Sequence, residues 1–254
     1  MSVVLAELSR GVLTVTLTDD ANRNALSNQL VSELHETLDA ADDNPEVRVV
    51  VLTNSGNVFC AGADLSERSS QSGRENLKVL DPSLLFSRFA KSSKVYIGRI
   101  AGHCVAGGMG LAAAMDISIA VEDASFGFPE TRIGVAPAMI SVVCLPKMRQ
   151  ADARAAFLRG NRFPAVEAVR MGLINEAVPA DHLDTAVDAV IADVLSCAPG
   201  ALATAKQLLA QVQTMPTEEA FSWTSELSAN LFRGDEAKEG TQAFLDKRPP
   251  SWTL

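Results

Sequence analysis

Leu13, Val15 and Leu17 alternate with Thr14 and Thr16, the period of two expected of a half-buried strand. Together with the run before it, this predicts a hairpin of strands 3–8 and 12–17 turning at Ser9, Arg10 and Gly11. The period then changes. Leu30, Leu34, Leu38 and Ala41 recur along one face of a helix that runs to Asp42, with Ser27 placed to cap its N-terminus. Residues 47–52 are too uniformly apolar for a strand with one wet face, so they are expected inside a sheet covered on both sides. Strands at 95–100 and 117–121 enclose a glycine-rich stretch that leads into an apolar helix, 111–115.

A short helix follows Pro164 and stops at Gly172, a left-handed C-cap, before a strand 173–178 closed by Pro179. Beyond Asp181 the pattern is helical throughout: 181–196, 201–213, 217–232 and 235–248, broken at Pro199-Gly200, Pro216 and Gly234. The chain therefore reads as an α/β core, residues 1–195, followed by a helical region, 196–254, suited to assembly. Residues 69–81 are polar and carry Gly73, which predicts a mobile loop or a frayed helix.

Composition narrows the classes. The 254 residues are 47% hydrophobic, which excludes disorder as the dominant state. Against 22 Lys and Arg stand 31 Asp and Glu, a formal net charge of −9. That balance argues against general nucleic-acid binding and against attachment to anionic membranes, while leaving room for a local basic pocket. No apolar run approaches the roughly 20 residues that span a bilayer, and the first residues lack the basic and apolar parts of a signal peptide, so a cytoplasmic location is expected. Cys60, Cys104, Cys144 and Cys197 form no CxxC pair and have no histidine at metal spacing; buried free thiols are expected, with neither a disulfide nor a metal.

Three segments offer chemistry. Phe59-Cys60-Ala61-Gly62-Ala63-Asp64-Leu65 and Ala106-Gly107-Gly108-Met109-Gly110-Leu111 each take a strand-like run through small residues into a helix-like run. Small side chains let a ligand approach the backbone, and amides at a helix start favour an oxyanion or a phosphate. As isolated features they read equally well as tight turns. In Phe126-Gly127-Phe128-Pro129-Glu130, the carboxylate follows an aromatic strand, where desolvation would lift its pKa toward the range useful for proton transfer; a surface pairing with Arg132 is the plainer reading.

Two other chemistries find less support. Gly108 to Ala113 matches a GxGxxA dinucleotide fingerprint, but it lies far along the chain and not directly after its strand. No GxSxG occurs, and His35, His103 and His182 lie in no recognisable triad context. His103, beside the glycine-rich block, is read as structural.

Taken in order, the hairpin, NRNALS, RVVVLT, FCAGADL, AGHCVAGGMGLAAAMDISIA, FGFPETRIGVAP and MGLINEAVP resemble the enoyl-CoA hydratase/isomerase (crotonase) family over nearly the whole chain. The resemblance implies a crotonase (ClpP-like) spiral of ββα units with a C-terminal helical region, assembled as a homotrimer or a dimer of trimers. It implies an acyl-CoA thioester substrate, with CoA arriving as part of that substrate and no separate cofactor or metal. The backbone amides of Ala63 and Gly107 would form an oxyanion hole for an enolate, with Glu130 as the catalytic acid/base. Arg23, Ala25, Ala61, Asp64, Leu65 and Gly108 would bind substrate and CoA, and Phe244 and Lys247 match an element that closes over the nucleotide. Asp64 is also positioned to cap the next helix, and Arg23 and Lys247 read equally as solvated surface charges.

The chain departs from the family's hydratases at one place. Those enzymes carry a second glutamate at the end of the glycine-rich block, where this chain has Gly110. One carboxylate suffices for a Δ3,Δ2-enoyl-CoA isomerase, whereas hydration of a 2-enoyl-CoA asks Glu130 to serve both the water and C2. Branched-substrate hydratases of the family are similar around GxGL and IGVAPAMIS, so hydration is placed first, isomerisation second, and a non-catalytic acyl-CoA binder third. Dienoyl isomerases and an aryl-CoA dehalogenase place an acid where this chain has Ala138, which disfavours their chemistries.

Overall fold

The computed structural model describes residues 2–69 and 82–253. Val4–Ser9 (β1) and Val12–Leu17 (β2) form the predicted hairpin, with Arg10 and Gly11 turning at positive φ. The helix Asn28–Asp43 (α1) starts where its cap predicts, the Ser27 hydroxyl accepting the Leu30 amide at 3.2 Å. Its Leu30, Leu34, Leu38 and Ala41 face is buried.

The chain then repeats one circuit, in which a strand joins a large sheet, a short strand joins a small sheet, and helix returns. The first circuit is Val49–Asn54 (β3), Val58–Cys60 (β4), Leu65–Ser69 (α2) and Pro82–Lys91 (α3). The second is Val95–Ile100 (β5), His103–Val105 (β6) and Gly107–Ala114 (α4). The third is Ile117–Val121 (β7), Ser125–Gly127 (β8), a 3-10 turn Pro129–Ile133, Ala138–Cys144 (α5) and Gln150–Arg159 (α6). Arg162–Pro164 (β9) then pairs antiparallel with β8, and Ala165–Met171 (α7) leads to Glu176–Val178 (β10). The large sheet has the order β1-β2-β3-β5-β7-β10, parallel from β2 onward, and the small one β4-β6-β8-β9.

Burial explains the apolar run at 47–52. Val50 and Leu52 face a core shared with α1, α3 and α4, while Val49 and Val51 join Val95, Ile97 and Ile119 under Leu183, Val187 and Val194 of Leu183–Ser196 (α8). With helices on both faces, no position of β3 is left for a polar outward side chain.

Several expectations need correction. The helix placed at 111–115 begins at Gly107, four residues earlier, because the glycines themselves are helical. The strand placed at 173–178 pairs only over Glu176–Val178. Gly172 caps α7 at φ 88°, and Leu173 and Ile174 turn into the core before the Asn175 amide reaches the Ser118 carbonyl at 2.9 Å. Helices α5 and α6 had no counterpart in the sequence pattern. Cys60, Cys104 and Cys144 are buried free thiols, but Cys197 is exposed. Apart from Ser69, the polar segment 69–81 lies outside the described residues. Among those residues no single helix is long and apolar enough to cross a membrane.

The remaining helices are Pro199–Gln211 (α9), Thr217–Arg233 (α10) and Asp235–Asp246 (α11). Two cations tie this region to the core. Lys206 of α9, buried, donates to the carbonyls of Phe89 (2.8 Å) and Lys94 (2.6 Å) and to Asp116 Oδ2 (2.8 Å), above the Tyr96 ring. Arg48, just before β3, donates to the carbonyls of Cys197 (2.8 Å) and Trp252 (2.9 Å). Because Lys206→Met removes the donor from the Phe89 and Lys94 carbonyls and leaves Asp116 Oδ2 only the Tyr96 amide, it is expected to cost about 3 kcal/mol, read as a lower urea midpoint at unchanged m-value.

Candidate active site

Three neighbouring parallel strands of the small sheet, β4, β6 and β8, carry the three chemistry-bearing segments at their C-terminal ends. Cys60 ends β4, three residues before Ala63; Val105 ends β6, two before Gly107; Gly127 ends β8, three before Glu130. Ligands in parallel α/β sheets bind outside these strand ends, so the sheet gathers what the sequence separates by tens of residues. The Ala106 amide continues the ladder onto the Gly127 carbonyl at 3.0 Å.

The two glycine-containing loops meet backbone to backbone. A Cβ at Gly62, whose φ is +91°, would stand 2.5 Å from Ala106 Cβ and 2.9 Å from the Gly107 nitrogen. A Cβ at Gly107 would stand 2.8 Å from Leu26 Cδ1. Leu26 belongs to the same knot: its amide donates to the Gly62 carbonyl at 2.7 Å, and it bridges Ala63. Ala106, with φ 50° and ψ −123°, holds a conformation that costs a non-glycine residue on the order of 1–3 kcal/mol. The strain sits immediately before Gly107, the first residue of α4, whose amide no carbonyl of its own helix can reach.

Glu130 lies in the 3-10 turn after β8. Its Oε2 is buried and has no hydrogen-bond partner among the described residues. Desolvation raises the pKa of the carboxyl group, partly offset by a hydrogen bond from its own amide. Cys144 is close enough to feel that charge: burial pushes its thiol up to about 12, Glu130 adds to the rise, and Lys147 opposes it. The thiol donates to the Met109 carbonyl at 3.7 Å, so α5 rests on the first turn of α4 beside Glu130.

Gly110 completes that turn, and its missing side chain is replaced by its neighbours. A Cβ there would lie 2.5 Å from Ile140 Cγ2 and 2.7 Å from Phe86 Cε1, both side chains being buried. The place of the second family glutamate is thus filled by hydrocarbon. Sequence reasoning gave Phe86, Ile140 and Cys144 no place at the site, because α3 and α5 reach Gly110 only through the fold.

The other predicted residues fall into four groups. Ala25 is buried; Ala61 is half-buried and donates its amide to the Arg23 carbonyl at 3.1 Å; Gly108 packs so tightly that a Cβ would meet the Cys60 carbonyl at 2.5 Å. That contact gives the GxGxxA glycine a packing role. Arg23 and Leu65 are exposed at the rim of the same loops. Asp64 caps α2: its Oδ1 accepts the Ser66 hydroxyl and amide (2.6 and 2.8 Å) and its Oδ2 the Asn22 amide group (2.8 Å), and these bonds from Ser66 and Asn22 hold its carboxyl below the usual range. Phe244 and Lys247 stand apart on α11, which packs on α10; Phe244 is 83% exposed, and Lys247 is the left-handed C-cap. His103 is structural, its Nδ1 accepting the Ser125 amide at 3.0 Å. Among the described residues no group of three His, Cys, Asp or Glu side chains is placed to hold a metal ion.

Comparison with known proteins agrees with this geometry. A crystal structure of a Mycobacterium smegmatis enoyl-CoA hydratase superposes with a TM-score of 0.92, at 28% identity over 99% of both chains. The structure of Pseudomonas aeruginosa AtuE superposes with a TM-score of 0.91, at 32% identity over 99% of this chain and 100% of that one. The Escherichia coli 2,3-dehydroadipyl-CoA hydratase is 31% identical over 99% of each chain. The family model for enoyl-CoA hydratase/isomerase matches residues 7–254. The chain belongs to the enoyl-CoA hydratase/isomerase family and has the crotonase fold.

Proposed function

We propose that the protein is a hydratase-type lyase that adds water across the double bond of a 2-enoyl-CoA, with Glu130 as its one acid/base. The observation that carries this reading is the buried, unpartnered Glu130 Oε2 at the end of β8, beside the strand that delivers Gly107. The amides of Ala63 and Gly107 receive the thioester oxygen as it gains charge, and backbone donors fixed by the Gly62–Ala106 contact need no reorganisation during the reaction. In the forward direction a C3–O bond forms from water and the C2=C3 electron pair moves into the thioester as an enolate. The Glu130 carboxylate takes a proton from that water as it adds and then gives it to C2.

A second reading, Δ3,Δ2-isomerisation, is favoured by the apolar filling at Gly110. Glu130 would remove a proton from C2 of a 3-enoyl thioester and return it to C4, with the double bond moving into conjugation. Arg23, Ala25, Ala61, Asp64, Leu65 and Gly108 line the substrate and CoA side of the site in either case. Assembly as a trimer, or a dimer of trimers, through residues 196–254 gives the exposed Phe244 and the neighbouring Lys247 a role in closing over the nucleotide. Hydration is the first reading here, supported by relatives whose names are those of hydratases.

Incubation with 2-enoyl- and 3-enoyl-CoA in heavy water separates the readings. Loss of conjugation with a new C3 hydroxyl supports the hydratase and gain of conjugation the isomerase; deuterium at neither C2 nor C4 for any thioester overturns both. Glu130→Gln is expected to lower kcat by about 10²–10⁴-fold while CoA-thioester affinity stays within a few-fold. Retained activity would remove Glu130 from the mechanism.

The pH profile carries a sign. Glu130 holds its proton to higher pH than an ordinary carboxyl, so the acid limb of kcat/KM should lie above the usual carboxylate range. In the window between its unfolded and folded pKa values the native state binds more protons, so this group's contribution to stability falls as pH rises there. Glu130→Gln removes that cost, and its melting temperature at neutral pH should equal or exceed that of the parent.

A further inference from the structure

Gly107 and Gly110 are three residues apart on α4, adjacent along one side of its first turn. The two glycines meet different neighbours. At Gly107 the approaching atoms are Leu26 Cδ1 and the backbone of Gly62, which leaves an amide between two loops. At Gly110 they are the buried side chains of Ile140 and Phe86, at 2.5 and 2.7 Å from the position a Cβ would take. Ile140 and Cys144 lie four apart on α5 and share a face, and that face rests on Met109 while Cys144 senses Glu130. Phe86 comes from α3, where Leu85, Phe86 and Phe89 are the buried residues.

From this packing we infer that Ile140 and Phe86 are specificity-determining residues: together they form a dry wall beside Glu130 that sets how the enzyme divides between adding water and moving a proton. The inference rests on the acyl-CoA reading above and deepens it. A water is held in a pocket by two to four polar partners, and an aliphatic side chain packed on an aromatic edge supplies none. On the Gly110 side these side chains offer water no partner, which leaves its positioning among the described residues to Glu130, the same carboxylate that must protonate C2. Proton transfer from C2 to C4 requires no water and no second acid, so the wall leaves it untouched.

Two variants test the wall: Ile140→Ala, which opens space, and Ile140→Ser, which opens space and adds a hydroxyl. The readout is the ratio of kcat/KM for hydration of a 2-enoyl-CoA to kcat/KM for transposition of a 3-enoyl-CoA. A general loosening of the fold lowers both terms and leaves the ratio in place. A rise of about tenfold in either variant supports the wall. A ratio within about twofold of the parent in both variants, with the fall in thermal stability expected of an opened core, overturns it. Should these variants not fold, Ile140→Val trims one methyl and is expected to move the ratio in the same direction by about threefold; no movement overturns the inference. A parent enzyme inactive on both thioesters brings down the acyl-CoA reading and this inference with it. An active parent whose ratio ignores Ile140 brings down this inference alone.

Discussion

The contact between Gly62 and the Ala106–Gly107 pair constrains more of this molecule than any other, since two loops from different turns of the spiral approach closer than any side chain permits. Such an approach is set up by the sheet, not by the loops. β4 and β6 run parallel, and a register shift between Val58, beside His103, and Cys60, beside Cys104, brings both chains out of the sheet at the same level. Gly62 turns at positive φ to lay its carbonyl on the Leu26 amide, and Ala106 accepts a strained conformation to open α4 against it. The strain persists because β6 on one side and α4 on the other fix the backbone that carries it.

Much of this arrangement follows from local pattern. Strands β5 and β7 and the Ser27 cap are visible because alternation, uniform burial and capping chemistry are properties of a few adjacent residues. Other parts lie beyond local reach. Leu173 and Ile174 look like strand because they are apolar, yet a ladder needs a neighbour in register, and that begins only where Asn175 meets Ser118. The glycines of α4 look like loop because glycine is a poor helix former, but packing against Cys60 and Ile140 leaves space for nothing larger. The wall of Ile140 and Phe86 is the extreme case: its two members are 54 residues apart, and although Ile140 stands in the IGVAPAMIS stretch, nothing local says that it meets Phe86 at Gly110.

The charge balance of −9 also acquires a local meaning. The proposed substrate is itself an anion, so under that proposal its recognition falls to helix-start amides and to a rim cation such as Arg23. Asp64 adds no free acceptor to that rim, since both of its oxygens are held by Asn22 and Ser66. The protein's own bonds thus occupy the one acid set among these residues.

The link from Arg48 to the Trp252 carbonyl joins residues 204 positions apart in the chain. It closes on the residues just before β3, a central strand of the large sheet, and the same guanidinium holds the Cys197 carbonyl at the end of α8. Loops of that length close slowly, and the contacts that reward closure arrive last. On the ribosome the early turns of the spiral therefore emerge and pair long before the residue that completes their outer edge exists. Until Cys197 and Trp252 are made it is the Arg48 guanidinium that waits, beside a strand whose own partners, β2 and β5, are already in place.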